Sequence, residues 1–164
     1  MRLAFVYSKA LRIDGTGMVC NIDLGEAYDI HPKNKQAVAQ RLASLSLANT
    51  YGKRIPATAP VYSTYSIKGN KVYIEFDTPK HGEGFSDNTD IKGFIIAGPD
   101  RRFYPATAYT ENGRVVVSSP SVPHPTAVRY AWADNPECNL STPSGLMVFP
   151  FRTDDWDLYG RMNK

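Results

Sequence analysis

Val61 to Phe76 reads VYSTYSIKGNKVYIEF. Two short runs rich in Val, Ile, Tyr and Phe, Val61–Ile67 and Lys71–Phe76, flank Lys68-Gly69-Asn70. Such side chains suit a pleated, half-buried surface, while glycine and asparagine supply the backbone freedom of a tight turn. The stretch predicts an antiparallel hairpin. Working outward, Ile91–Ala97, Phe103–Tyr109, Arg114–Ser118 and Ala127–Trp132 have the same character, with Gly98-Pro99-Asp100 and Asn112-Gly113 between them. Asn-Gly is the pair that favours a primed two-residue hairpin turn. Six or more short strands at this spacing predict a mainly β fold, an antiparallel β-sandwich.

Upstream the period changes. From Asn34 to Tyr51, the residues Val38, Leu42, Leu45 and Ala48 recur at helical spacing and Gly52 follows as a C-terminal stop. Pro32 suits the first turn of such a helix, where its missing N–H has no intrahelical partner. Earlier still, Met18–Leu24 (MVCNIDL) is a short apolar run between glycines and reads as a buried strand. Lys53–Pro60 (KRIPATAP), with two prolines, is a linker the helix cannot cross. The expected organisation is therefore a strand, loop and helix within residues 1–54, followed by a sandwich over residues 55–164. One strand and one helix cannot cover both of their apolar faces, so this first part is expected to be a fragment of a larger domain.

Composition narrows the function classes. The chain has 164 residues, 42% apolar, a net charge of +3 and a pI near 8.8, with no Lys/Arg run longer than two. No polyanion-binding stripe is expected, hence no nucleic-acid partner. Cys20 and Cys138 stand far apart with no metal-ligand spacing, so neither a zinc site nor a disulfide framework is expected. Met1–Ala10 (MRLAFVYSKA) lacks the long apolar region and cleavage site of a secretory signal. No run approaches the roughly 20 apolar residues of a membrane span, so a soluble chain with no membrane partner is expected. Localisation stays open.

The candidate chemistry sits in Asp29-Ile30-His31-Pro32, in the loop between the expected strand and helix. A serine hydroxyl is a poor nucleophile until a base takes its proton, and histidine has the unperturbed pKa closest to neutrality for accepting and returning it. A carboxylate that fixes the imidazole tautomer completes the unit; Asp29, Asp23 and Glu26 are the local candidates. The plain alternative is a loop histidine beside an aspartate that caps the helix.

Three blocks give context: Thr16-Gly17-Met18, Ile22-Asp23-Leu24-Gly25-Glu26 and Asp29-Ile30-His31-Pro32-Lys33-Asn34-Lys35-Gln36. Downstream stand Gly93-Phe94, Ile96-Ala97-Gly98, the run Val128 to Leu140 (VRYAWADNPECNL) and Pro150-Phe151-Arg152-Thr153-Asp154. Together they resemble the C-terminal portion of the sialate O-acetylesterase family, a branch of the SGNH (GDSL-like) hydrolases. The resemblance implies an α/β SGNH hydrolase domain of which residues 1–54 are the end, joined to the family's C-terminal sandwich. It implies hydrolysis of O-acetyl esters of sugars through a serine acyl-enzyme, with an acetylated carbohydrate as substrate and His31 as the catalytic histidine. No metal or organic cofactor is implied, and intact members are often exported.

Two departures matter. The family places its aspartate three residues before the histidine, where this chain has Tyr28, so Asp29 is a candidate from the residues themselves and not a carry-over. The Gly-Asp-Ser or Gly-Gln-Ser nucleophile block and the oxyanion-hole blocks do not occur here. Ser44 and Ser46 fall on the expected helix, and Ser118, Ser119 and Ser121 at a strand end or loop, none on a glycine-flanked elbow. The expectation is a chain inactive alone, whose partner is the missing N-terminal hydrolase portion, with self-association through the uncovered apolar face.

Two alternatives stand beside it: a non-catalytic sandwich or carbohydrate-binding module, with Trp132, Trp156, Tyr130 and Phe149 as a sugar-stacking platform, and a split enzyme whose serine arrives on another polypeptide. His81, His124 and the loop Gly82 to Asp90 are read as surface loop features, since their spacing fits no metal-ligand pattern.

Overall fold

The computed structural model describes residues 13–31 and 33–156. The readings of Pro32 and Met1–Ala10 lie outside the described residues. Among those described, one helix, α1 (Lys35–Asn49), precedes eight strands: β1 (Val61–Lys68), β2 (Lys71–Asp77), β3 (Phe94–Ala97), β4 (Phe103–Pro105), β5 (Thr107–Glu111), β6 (Arg114–Ser118), β7 (Ala127–Tyr130) and β8 (Phe151–Arg152). They form two antiparallel four-stranded sheets, ordered β1-β2-β6-β5 and β4-β3-β7-β8. The mainly β sandwich expected from the sequence is what forms.

The first sheet grows from the β1–β2 hairpin. Lys68 pairs with Lys71 across Gly69-Asn70, and Gly69 takes a φ of 61° that a side chain would resist. Register then sets the faces: Val72 opposes Val117 and Ile74 opposes Val115, all four without exposed surface. The β5–β6 turn has Asn112 at φ 51° and Gly113 at φ 75°, both left-handed as a type I′ hairpin requires. In the second sheet Phe94 pairs with Tyr130, and Phe94, Ile96, Val128 and Tyr130 complete the same core. The buried Tyr130 hydroxyl accepts from the Leu140 amide at 3.0 Å, so the core holds that polar group satisfied.

Phe151 fastens the sheets together. Its ring stacks on Tyr62 of β1 at 4.8 Å and meets Phe76 of β2 edge-on at 5.6 Å. It also lies 5.7 Å from the ring of Tyr130 in its own sheet. Beyond it, the Arg129 guanidinium grips the almost fully buried Asp154 carboxylate with two bonds of 2.8 Å and lies 4.2 Å over the Phe103 ring.

Three expected elements differ. Phe103–Tyr109 divides into β4 and β5 in different sheets, with Ala106 at the corner donating to the Phe94 carbonyl at 3.2 Å. Ile91–Ala97 likewise divides. The Ile91 amide bonds Ala108 of the first sheet, and Gly93, at φ 93°, carries the chain into β3. A Cβ on Gly93 would stand 2.8 Å from the Cβ of Cys138, so this corner admits no side chain. Met18–Leu24, expected as a strand, pairs with no strand among the described residues and turns over at Ile22–Asp23. A single strand has no ladder to join unless a neighbouring strand pairs with it.

The helix forms nearly as read. The Asn34 side chain caps it, accepting from the Ala37 amide at 3.1 Å, and Gly52 ends it at φ 65°. The expected stripe is only half seated. Leu45 and Ala48 are buried in a small cluster with Ala57, Val19 and Ile55, whereas Leu42 is 48% exposed.

Candidate catalytic histidine segment

Between the turn at Asp23 and the cap at Asn34 the chain makes a loop that carries Asp29 and His31. The Asp29 carboxylate accepts from the His31 amide at 2.9 Å and lies 3.2 Å from Nδ1 of the same residue. A short aspartate side chain bonding the backbone two residues on is a common local turn device, which is why this spacing brings carboxylate and imidazole together. The Nδ1 edge thus faces a carboxylate, as in a Ser-His-Asp arrangement, and the Nε2 edge is the one left for a hydroxyl. The two side chains are 74% and 51% exposed. In that setting water screens the pair, and the contact orients the ring more than it stabilises the fold.

The other two carboxylates are committed elsewhere. Asp23 receives a fork from Arg41, with Nη1 and Nη2 each 2.7 Å from one carboxylate oxygen. Glu26 lies 4.0 Å from the Lys33 ammonium. Of the three candidates, Asp29 is therefore the one against His31. Among the described residues His31 bonds no serine. Ser44 and Ser46 lie within α1, and Ser118 and Ser119 at the end of β6, where Ser119 is buried.

Sequence reasoning missed Arg41. It falls outside the apolar stripe of α1 and reads as solvent-facing, yet its side chain is largely buried. Besides Asp23, it donates to the Cys20 carbonyl at 2.6 Å and to the Gly145 carbonyl at 2.9 Å. The hydrogen bonds to Asp23 raise its pKa above the usual guanidinium value. No local sequence signal pairs residues 23, 41 and 145.

A groove of about 620 Å³ lies between the segment around Gly17–Cys20, α1 and the sandwich, bordered by Leu45, Thr58, Tyr62 and Phe151. Neither Asp29 nor His31 borders it. Burial pushes the Cys20 thiol up to about 12, and the sulfur's contact is the Val148 carbonyl at 3.7 Å.

A solved structure is similar to nearly the whole of this chain. It is that of a carbohydrate acetylesterase from Xanthomonas citri. The identity is 42%, the TM-score 0.85, and the match covers 92% of this chain and 35% of that one. The chain thus spans about a third of the length of that esterase. At this identity the likeness is one of sequence as well as fold, and it supports a carbohydrate-esterase relationship broader than the sialate O-acetylesterases. No protein-family profile matches the chain, and no curated protein matches it.

The remaining sequence candidates take ordinary places. The His81 carbonyl accepts from the Ala57 amide at 2.9 Å, and His124 is an exposed loop residue. Asn88 and Asp90 are tied into the loop by bonds to Thr110 and Asn139. No three His, Cys, Asp or Glu side chains converge as metal ligands among the described residues. No described helix is long and apolar enough to cross a membrane. Tyr130 is in the core, and the half-buried Trp156 has Arg101 over its ring at 5.3 Å and the Phe103 ring at 5.6 Å. Trp132 has the guanidiniums of Arg129 and Arg152 at 5.5 and 5.9 Å. Phe149 borders the groove of about 620 Å³.

Proposed function

We propose that this chain is the histidine-bearing C-terminal part of a carbohydrate O-acetylesterase of the sialate O-acetylesterase kind. Residues 1–54 would close the hydrolase domain and residues 55–164 would form its accessory sandwich. The observation that carries the reading is the Asp29–His31 contact on an exposed loop, in a chain 42% identical to part of a carbohydrate acetylesterase.

In this reading a serine on polypeptide outside these residues attacks the acetyl carbonyl. His31 accepts its proton at Nε2 and returns it to the departing sugar oxygen, leaving an acetyl-serine. His31 then deprotonates water, which releases acetate and regenerates the serine. Asp29 holds the ring and stabilises the imidazolium. The carbohydrate-binding alternative is less well supported, because the tryptophans it needs are half-buried against arginines and aromatic rings.

The test is a chimera in which this chain replaces the matching part of the Xanthomonas citri esterase, assayed on acetylated sugars. The chimera is expected to release acetate, and His31→Ala within it to lose activity by about 10³-fold or more, the scale of losing a triad base. A folded chimera as active with alanine at position 31 as with histidine would contradict the proposal.

A further inference from the structure

We infer that Arg41 is the positioning residue through which the β-sandwich holds the histidine loop, an inference that rests on the catalytic reading of His31. The loop begins at Asp23, which Arg41 grips with two bonds of 2.7 Å. It ends at Asn34, whose side chain caps the helix on which Arg41 stands. Both ends of the histidine loop are thereby referred to α1. The same guanidinium refers α1 to the sandwich through its 2.9 Å bond to the Gly145 carbonyl.

That carbonyl is itself well anchored. Gly145 closes a turn in which its amide bonds the Thr142 carbonyl at 2.9 Å and the Leu146 amide bonds the Thr142 hydroxyl at 3.2 Å. The neighbouring Ser144 amide donates to the Glu83 carboxylate at 3.0 Å. Leu45 and Ala48 add apolar contact with Ala57, Val19 and Ile55. Apolar contact is non-directional. A guanidinium fork fixes direction as well as distance, and an ammonium at the same place would not span carboxylate and carbonyl together. Displacing a catalytic group by about 1 Å costs on the order of 100-fold in rate, so a latch of this kind is where a non-catalytic sandwich would act on turnover.

The test uses the full chain and two variants, Arg41→Met and Arg41→Lys, with backbone amide order parameters measured by NMR relaxation. In the unsubstituted chain Tyr28–His31 should show values near those of rigid backbone, about 0.85, falling below about 0.6 in both variants while β2 and β6 keep theirs. Should Arg41→Met loosen α1 as a whole, Asp23→Asn provides the narrower change. It leaves the Gly145 bond in place and should free the loop while the α1 amides stay rigid. Within the esterase chimera, Arg41→Lys should lower kcat by about 10- to 100-fold with KM unchanged. Unchanged order parameters in Arg41→Met and Asp23→Asn, a loop already flexible in the unsubstituted chain, or full rescue by lysine would each overturn the inference. An inactive chimera with the loop freed in all three variants would instead sink the catalytic reading and leave the latch standing.

Discussion

The sandwich and the segment before it are built to different standards of closure. Among the described residues, the large apolar side chains left exposed are Ile13, Tyr28, Ile30, Leu42, Leu47, Tyr51, Val61 and Ile67. Six of these eight precede the sandwich, in the shorter part of the chain. Within the sandwich, inward-facing side chains of both sheets meet in one continuous cluster and the aromatic contacts of Phe151 cross between them. The helix, by contrast, shows apolar side chains on more than one side and buries only Leu45 and Ala48. A helix apolar around much of its girth is made to be enclosed. The sandwich buries one large apolar cluster between its sheets, while the histidine segment buries a small one and leaves apolar side chains exposed.

That contrast can be broken, most severely in the sandwich. Phe151→Ala removes the ring that joins both sheets and should cost about 3–5 kcal/mol, read from urea unfolding. A loss under about 1 kcal/mol would mean the sheets are joined elsewhere. Asp154→Ala should cost about 3 kcal/mol, because it leaves the largely buried Arg129 guanidinium without its fork.

The Cys20 thiol has its pKa raised from 9.0 to about 12 by burial. In that window the folded state keeps a proton that the unfolded chain has lost. The associated stability is complete below about pH 9 and declines as pH rises towards 12, by up to about 1.4 kcal/mol per pH unit. Unfolding midpoints across that range should fall more steeply for the unsubstituted chain than for Cys20→Ala, and equal slopes would place Cys20 in contact with water. The smallest effect belongs to the helix. Leu42→Gln should change the stability of the isolated chain by no more than about 0.5 kcal/mol, since the side chain is already 48% exposed. A loss above 2 kcal/mol would show that this face is covered.

The sandwich was legible because local signals and tertiary outcome agree in it. Period-2 runs, the Gly69-Asn70 and Asn112-Gly113 turns and the glycine after the helix each state in a few residues what the fold does there. The sheet-switching corners at Ala106 and Gly93 were not legible. A run of strand-forming residues does not record which sheet each half joins, and at Gly93 the deciding neighbour, Cys138, is distant in sequence. β8, with two residues, is too short for any period to register. At the candidate site, Asp29 and His31 were readable because their contact is local. Arg41 was not, since its partners lie 18 and 104 residues away and only the packed structure brings them to one guanidinium.

In the proposed function these residues carry a catalytic base without its nucleophile. The most direct measurement is hydrolysis of 4-nitrophenyl acetate by the purified chain, beside His31→Ala and an equimolar solution of imidazole. The chain should be no faster than free imidazole, whose chemistry an exposed histidine shares. A rate far above imidazole that His31→Ala abolishes would contradict it, because a nucleophile would then lie within these residues.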